Sequence, residues 1–315
     1  MSPGDLRNPS IEAPWGHRLS NALKTTVLLA GLTALVLWVG QRLGGPQGLV
    51  LAGVFVVVMN FGSYWFSDRI ALAMHGAQPL DYAQAPWLHA LVEKLAARAG
   101  MPTPKVYLLP TATPNAFATG RSPEHAAVAV TAGLLELLDE RELEGVLAHE
   151  IGHVKNRDTL IGTVAATLAG VISYAAQSLF WFGGSLLGRG DDEEGGLGHA
   201  LGNLGVLLVA PIAATLLQLA VSRSREYGAD ATGAALCGDP DALASALLKL
   251  ERGAERMPYD RAPATSHLFI VNPLSGGAVM GLFSTHPPIA ERVRRLRDLA
   301  RSSGAGRGTW RRAWA

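Results

Sequence analysis

Leu147-Ala148-His149-Glu150-Ile151-Gly152-His153-Val154-Lys155-Asn156-Arg157-Asp158 is the stretch on which the reading of this 315-residue chain turns. Two histidines four residues apart, with a glutamate directly after the first, make the pattern H-E-x-x-H. On a helix, positions i and i+4 share one face about a turn apart, where two imidazole nitrogens can converge on one Zn²⁺. Glu150 then lies beside the metal, able to take a proton from its bound water. The helical context is supplied upstream, where Asp139 with Glu142 resembles a capping pair opening a helix over Glu140–Arg157.

Outward from that helix towards the amino terminus, Asp68–Asp158 reads as an α+β piece. Trp87–Arg98 has helical periodicity and ends at Gly100. Lys105–Leu109, Asn115–Thr119 and Ala126–Thr131 read as short strands between Pro, Thr and Gly turns, and a helix follows from about Gly133. Towards the carboxyl terminus, Arg223–Leu236 and Pro240–Arg252 read as helices divided by Gly238-Asp239-Pro240. Ala262–Gly281 is loop-like, and Pro288–Arg301 is a basic helix with prolines at its start.

Charged residues make up 17% of the chain, against roughly 25% in an ordinary soluble domain. The deficit sits in four uncharged runs, Thr25–Gln41, Leu43–Ser67, Thr159–Gly188 and Gly195–Ser222, of 17, 25, 30 and 28 residues. A spanning helix needs about 20 mostly apolar residues, so Leu23–Val39, Gly48–Phe66, Thr159–Phe182 and Leu201–Val221 are the candidate spans. Asp5, Glu12 and three prolines in the leading segment, with no small-x-small site after Val39, favour a retained anchor over a cleaved signal peptide. Arg18, Lys24, Arg69, Lys155, Arg157, Arg223 and Arg225 flank one side of the spans, while Arg42 and Arg189 flank the other. That asymmetry places the amino terminus and the main domains in the cytoplasm. A lone cysteine, Cys237, excludes a disulfide scaffold, and a net charge of +1 gives no reason to expect a nucleic-acid partner.

A catalytic zinc needs a third protein ligand and an open position. No further histidine follows in Val154–Thr159, and the candidate is Glu226 in Ser222-Arg223-Ser224-Arg225-Glu226-Tyr227-Gly228-Ala229-Asp230. The last two spans form an antiparallel hairpin in this reading, so a chain leaving at Asp158 re-enters beside it near Arg223. Glu226 is thereby returned to His153 although 73 residues separate them. Asp230, one turn on, could orient a ligating histidine through its carboxylate.

With those residues in view, the chain resembles the HtpX-like membrane zinc metalloproteases, relatives of the CAAX prenyl endoproteases. The matching stretches are Pro114–Gly120, Leu147–Asp158, Ser222–Asp230, His267-Leu268-Phe269-Ile270-Val271-Asn272-Pro273 and Phe283-Ser284-Thr285-His286-Pro287-Pro288. Gly152 stands at a position that varies in such enzymes. The resemblance implies a cytoplasm-facing, ATP-independent endoprotease of the inner membrane, acting on unfolded or misfolded membrane proteins in quality control and stress response. It implies one Zn²⁺ on His149, His153 and Glu226, Glu150 as general base, and Asp230 behind the ligands. Asn115, Ala116 and Phe117 would open an edge strand that holds substrate backbone by β-augmentation. His286 is either an oxyanion donor, a fourth and inhibitory ligand, or a solvent-facing histidine before a proline turn; His267 is a structural or surface histidine. The expected partners are substrate and lipid bilayer, with a homo-oligomer or quality-control proteins compatible with the resemblance.

The fold expected is therefore a mainly α integral membrane protein with four transmembrane helices and a small α+β zincin-like catalytic domain. Its parts are an amino-terminal arm (1–22), a transmembrane hairpin (23–67), the first catalytic part (68–158), a second hairpin (159–222), the second catalytic part (223–301) and a basic tail (302–315). Two other functions stand beside this one. A prenyl-protein endoprotease keeps the chemistry and changes the substrate. A zinc-stapled membrane receptor or holdase would have no need of Glu150 and would close its site with four ligands, commonly cysteines.

Overall fold

Both amino-terminal apolar runs fall in one helical stretch, α1 (Trp15–Met74), of the computed structural model, which describes residues 15–160, 162, 223–256, 268–271 and 287–304. Gly45 adopts φ +56° just before Pro46, a left-handed conformation that glycine takes without a Cβ clash. Leu37 and Gly53 are 16 residues apart in sequence, which a straight helix would set about 24 Å apart. Yet Leu37 Cδ2 lies 3.9 Å from the point where a Cβ on Gly53 would stand. The two limbs therefore fold back on each other at Gly45-Pro46.

The returning limb carries an open apolar surface. Leu49, Val50, Leu51, Val54, Phe55, Val57, Val58 and Phe61 are each 40–72% exposed, far beyond the scattered apolar residues of a water-facing helix. Among the described residues, no helix is long and apolar enough to cross a membrane. Most of 159–182, all of 201–221, His267, His286 and the end of the tail lie outside the described residues.

After α1 the chain builds a four-stranded sheet. β1 (Gln78–Pro79), absent from the sequence reading, pairs antiparallel with β2 (Lys105–Leu109), and helix α2 (Pro86–Ala99) connects them. Proline in the first turn of α2 and Gly100 in the left-handed conformation at its end bound the helix, Gly100 N–H reaching the Ala97 carbonyl. Its Leu88, Val92 and Leu95 are wholly buried, each worth roughly 1.5–3 kcal/mol of transfer free energy. The strand order is β1-β2-β4-β3, with β4 (Ala127–Thr131) parallel to β2 and antiparallel to β3 (Ala116–Thr119). That order leaves β3 at the edge. Helix α3 (Ala132–Leu137) follows at once, capped by the Thr131 hydroxyl, which accepts from Leu134 N–H.

The motif helix α4 (Glu140–Lys155) carries the complete capping box, with Asp139 accepting from Glu142 N–H and Glu142 accepting from Asp139 N–H. The Glu142 carboxylate also accepts from Ser245 Oγ (2.7 Å) and Lys249 Nζ (2.6 Å), fixing the start of α4 to a later helix. Leu143, Val146, Leu147, Ile151 and Val154 enter the core with the sheet face behind them. Helices α5 (Arg223–Cys237), α6 (Pro240–Arg256) and α7 (Ile289–Gly304) complete the layer, with Gly238 at φ +74° turning the chain between α5 and α6.

Candidate metal centre

Helices α4 and α5 meet through glycine. A Cβ on Gly233 would stand 2.8 Å from both Cα and N of His149, so only glycine permits this approach. Gly152 is tight as well: its Cβ would lie 3.2 Å from the Ala229 carbonyl oxygen and 3.3 Å from Thr232 Cβ. The variability expected at Gly152 thus meets a close helix contact. The approach brings Glu226, in the first turn of α5, against both histidines of α4. His153 Nε2 lies 3.5 Å from Glu226 Oε1, His149 Nε2 lies 3.8 Å from Glu226 Oε2, and the two Nε2 atoms are 3.2 Å apart. Gly233→Ala is expected to push α5 away from α4, cost roughly 1–3 kcal/mol of stability and weaken metal binding. A melting temperature and metal affinity equal to wild type would show that the helix spacing is set elsewhere.

Each histidine is held from behind by a carboxylate. His149 Nδ1 lies 2.9 Å from Asp230 Oδ1, and His153 Nδ1 lies 3.2 Å from Asp158 Oδ2. With Nδ1–H donating in both cases, the Nε2 lone pairs turn towards the Glu226 carboxylate. Asp158 was not singled out in the sequence. It reaches His153 because Arg157, at φ +60°, turns the chain back at the end of α4 with no glycine to signal the reversal.

Beneath this set lies a second residue that the sequence reading missed. Arg292 of α7 is 0% exposed and grips Asp230 with two bonds, Nη2 to Oδ1 at 2.7 Å and Nε to Oδ2 at 2.9 Å. Its Nη1 donates to the Ile270 carbonyl at 2.9 Å and lies 3.5 Å from Glu226 Oε2. A signal was present: Ile289, Arg292, Val293 and Leu296 share the i, i+3, i+4, i+7 stripe of an otherwise basic surface helix, so Arg292 stands at a core position.

Protonation follows from these contacts. Burial pushes His149 down to about 4, with the Arg292 charge adding to the effect. Burial also works against a charge on His153, but Glu226, Asp158 and Glu150 overcome it and raise this histidine to about 9. Burial lifts Glu150 to about 8, the Glu226 charge helping and His153 and the Ala118 N–H opposing. The carboxylates around His153 therefore favour positive charge on that side of the set, while His149 is held neutral. Two imidazoles and one carboxylate, whose ligand atoms all lie within 4.8 Å of one another, suit a divalent transition metal.

At β3 the structure is more specific than the expected substrate edge. The strand begins at Ala116, and the Asn115 side chain donates to the Val271 carbonyl at 2.8 Å. The outward carbonyl of Ala116 accepts from Ile270 N–H at 3.1 Å, so the chain itself covers that rung. Phe117 is buried against Phe269 and His75, ring centroids 5.5 and 5.1 Å away. Ala118 offers its N–H to Glu150.

A buried helix bearing H-E-x-x-H, with a distal glutamate brought to both histidines, defines a metalloendopeptidase. The chain belongs to peptidase family M48, whose profile, described as "Peptidase family M48", matches residues 82–300. It is 52% identical over 291 residues to a protein named "Protease HtpX homolog" from Desulforapulum autotrophicum, covering 91% of this chain and 93% of that one. The relative of the same name from Syntrophobacter fumaroxidans is 54% identical over 285 residues, 89% of this chain and 100% of its own. Against the one from Aquifex aeolicus the identity is 53% over 274 residues, 86% and 90% of the two chains. The crystal structure of S. mikatae Ste24p aligns at TM-score 0.48 and 20% identity, over 89% of this chain and 66% of that one. The family membership sets aside the non-enzymatic receptor or holdase.

Proposed function

We propose that this metalloendopeptidase uses one zinc ion, is anchored in the bilayer by its apolar helices, and hydrolyses misfolded or damaged membrane proteins on the cytoplasmic side in protein quality control. The observation that carries the zinc reading is the convergence of His149, His153 and Glu226, each histidine backed by its own carboxylate. The open apolar limb of α1 and the lysine and arginine asymmetry around the uncharged runs support the bilayer and the cytoplasmic side.

His149, His153 and Glu226 would hold the zinc ion, which would supply Lewis acidity to a water molecule and to the scissile carbonyl. Glu150 takes the proton of that water and delivers it to the leaving amine. Burial raises Glu150 to about 8, and a dication held by His149, His153 and Glu226 would favour its ionised, basic form. In a strand, N–H and C=O of one residue point to the same side, so the Ala118 carbonyl faces the cleft with its N–H. There it can accept from the substrate amide that becomes the leaving amine. Asp230 and Asp158 keep both imidazoles turned, and His286 remains a candidate oxyanion donor.

The test is metal removal. Chelation should abolish cleavage of an unfolded protein, and one equivalent of zinc should restore it. Glu226→Ala should weaken zinc binding by roughly a hundredfold or more, since a direct ligand should matter at least as much as the residues behind it. Because His153 is raised to about 9, zinc must displace its proton at neutral pH. Affinity should therefore fall with acidification, by about tenfold per pH unit. Wild-type affinity in Glu226→Ala would remove Glu226 from the ligand set.

A further inference from the structure

We propose that the site selects extended juxtamembrane segments, cutting within about six residues of the point where a substrate leaves the bilayer, because Gly120-Arg121 holds the catalytic edge strand at the membrane surface. The inference rests on the reading of the uncharged runs as bilayer-embedded and of the site as a peptidase.

The apolar limb of α1 ends in Phe61, Tyr64, Trp65 and Phe66, followed at once by Asp68 and Arg69. Aromatic rings followed by charges mark the level of lipid headgroups. The guanidinium of Arg121 sits over the Trp65 ring, 4.6 Å from its centroid. One residue earlier, the Gly120 carbonyl accepts from the Thr159 hydroxyl at 3.0 Å, and Thr159 opens the uncharged run 159–188. Two remote segments, one leaving an apolar run and one entering another, thus meet the same two residues. Gly120 is itself fixed, at φ +134° with no room for a Cβ, which would stand 2.4 Å from the His125 carbonyl oxygen.

The reacting groups lie close behind that tip. Ala118, bonded to Glu150, is three residues from Arg121, about 10 Å along a strand. On the other side, His153 is held by Asp158, the neighbour of Thr159. The far end of the edge is covered by the chain itself, with Ile270 N–H on the Ala116 carbonyl and Arg292 on the Ile270 carbonyl. Between that cover and the Thr159 bond at Gly120, with the Ala118 N–H on Glu150, the Ala118 carbonyl is the outward group through which a peptide can join the edge, at its bilayer end. At about 3.3 Å per residue, three to six extended residues join the headgroups to the scissile bond.

The experiment reconstitutes the full-length enzyme with zinc in phosphatidylcholine vesicles, together with a single-span substrate carrying a long tail of uniform repeat sequence. Mass spectrometry maps the cuts. They should cluster in the first six or so residues after the span, whereas the same repeat supplied as a soluble peptide is cut along its whole length. Arg121→Glu, which repels phosphate and loses the Trp65 contact, should move the cluster outward by several residues. Cuts spread evenly along the anchored tail overturn the inference while leaving the peptidase reading intact. Failure to cut even the soluble repeat overturns both.

Discussion

Replacing Glu150 by Gln should lower proteolysis by about a thousandfold while one equivalent of zinc stays bound. The substitution keeps the shape and removes the basic oxygen. His149, His153 and Glu226 retain their mutual distances, because those are set by the glycine contact between α4 and α5 and by Asp230 and Asp158, none of which involves Glu150. The Ala118 N–H still finds an acceptor in the glutamine oxygen, so β3 should keep its place. Stability without metal should even rise as the pH increases, relative to wild type. A folded-state acid raised to about 8 loses stability between its ordinary 4.5 and that value, and glutamine has no such charge to bury. Thermal melts of wild type and variant at pH 5 and pH 8, with zinc removed, should separate most at pH 8. Wild-type proteolysis by Glu150→Gln would assign the proton transfer to another group, and loss of zinc would mean that the residue shapes the site.

How much of this was legible before the structure depends on how local each signal is. The span of α4 could be read because Asp139 and Glu142 announce its start and the metal motif repeats at helical spacing; the helix ends two residues earlier than read, at Lys155. Strands β2, β3 and β4 were legible to within a residue, since Pro, Thr and Gly turns bracket them, whereas the two-residue β1 carries no such pattern. Glu226 could be placed on the expectation of an antiparallel excursion over 159–222, which lies outside the described residues; what the structure describes is Glu226 beside both histidines. Three features were hidden for one reason, that each is defined by a remote neighbour. Asp158 turns towards His153 through a left-handed arginine, which no propensity marks. Gly233 looks like a poor helix residue until the backbone of His149 is seen beside it. Phe117 reads as a strand residue, while its partners, Phe269 and His75, come from a distant loop and from the turn just after α1.

Arg292→Met should destabilise the protein by about 3–5 kcal/mol, the cost of leaving one member of a buried ion pair alone. The methionine fills much of the volume, so the loss reports on charge. Burial alone pushes Asp230 upward; Arg292, with the His149 Nδ1–H, more than offsets it and holds the carboxyl at about 2. Stability from this depressed group is present above the ordinary 3.8 and is lost as the pH falls through about 2. In the variant only the neutral imidazole opposes burial, so the carboxyl titrates above its ordinary value and ionisation costs stability as the pH rises. The gap between the two proteins should thus be widest at neutral pH and should close in acid, where Asp230 is protonated in both. Adding Asp230→Asn to Arg292→Met removes the stranded charge and should restore most of the stability, as replacing whole buried pairs by neutral groups commonly does. Zinc affinity should stay down by roughly tenfold to a hundredfold in the double variant, because His149 has lost the carboxylate that turns it. The two readouts separate the roles: the ion pair sets the stability, and the carboxylate sets the ligand. A single variant as stable as wild type across this pH range would mean that the guanidinium is not what holds Asp230 ionised.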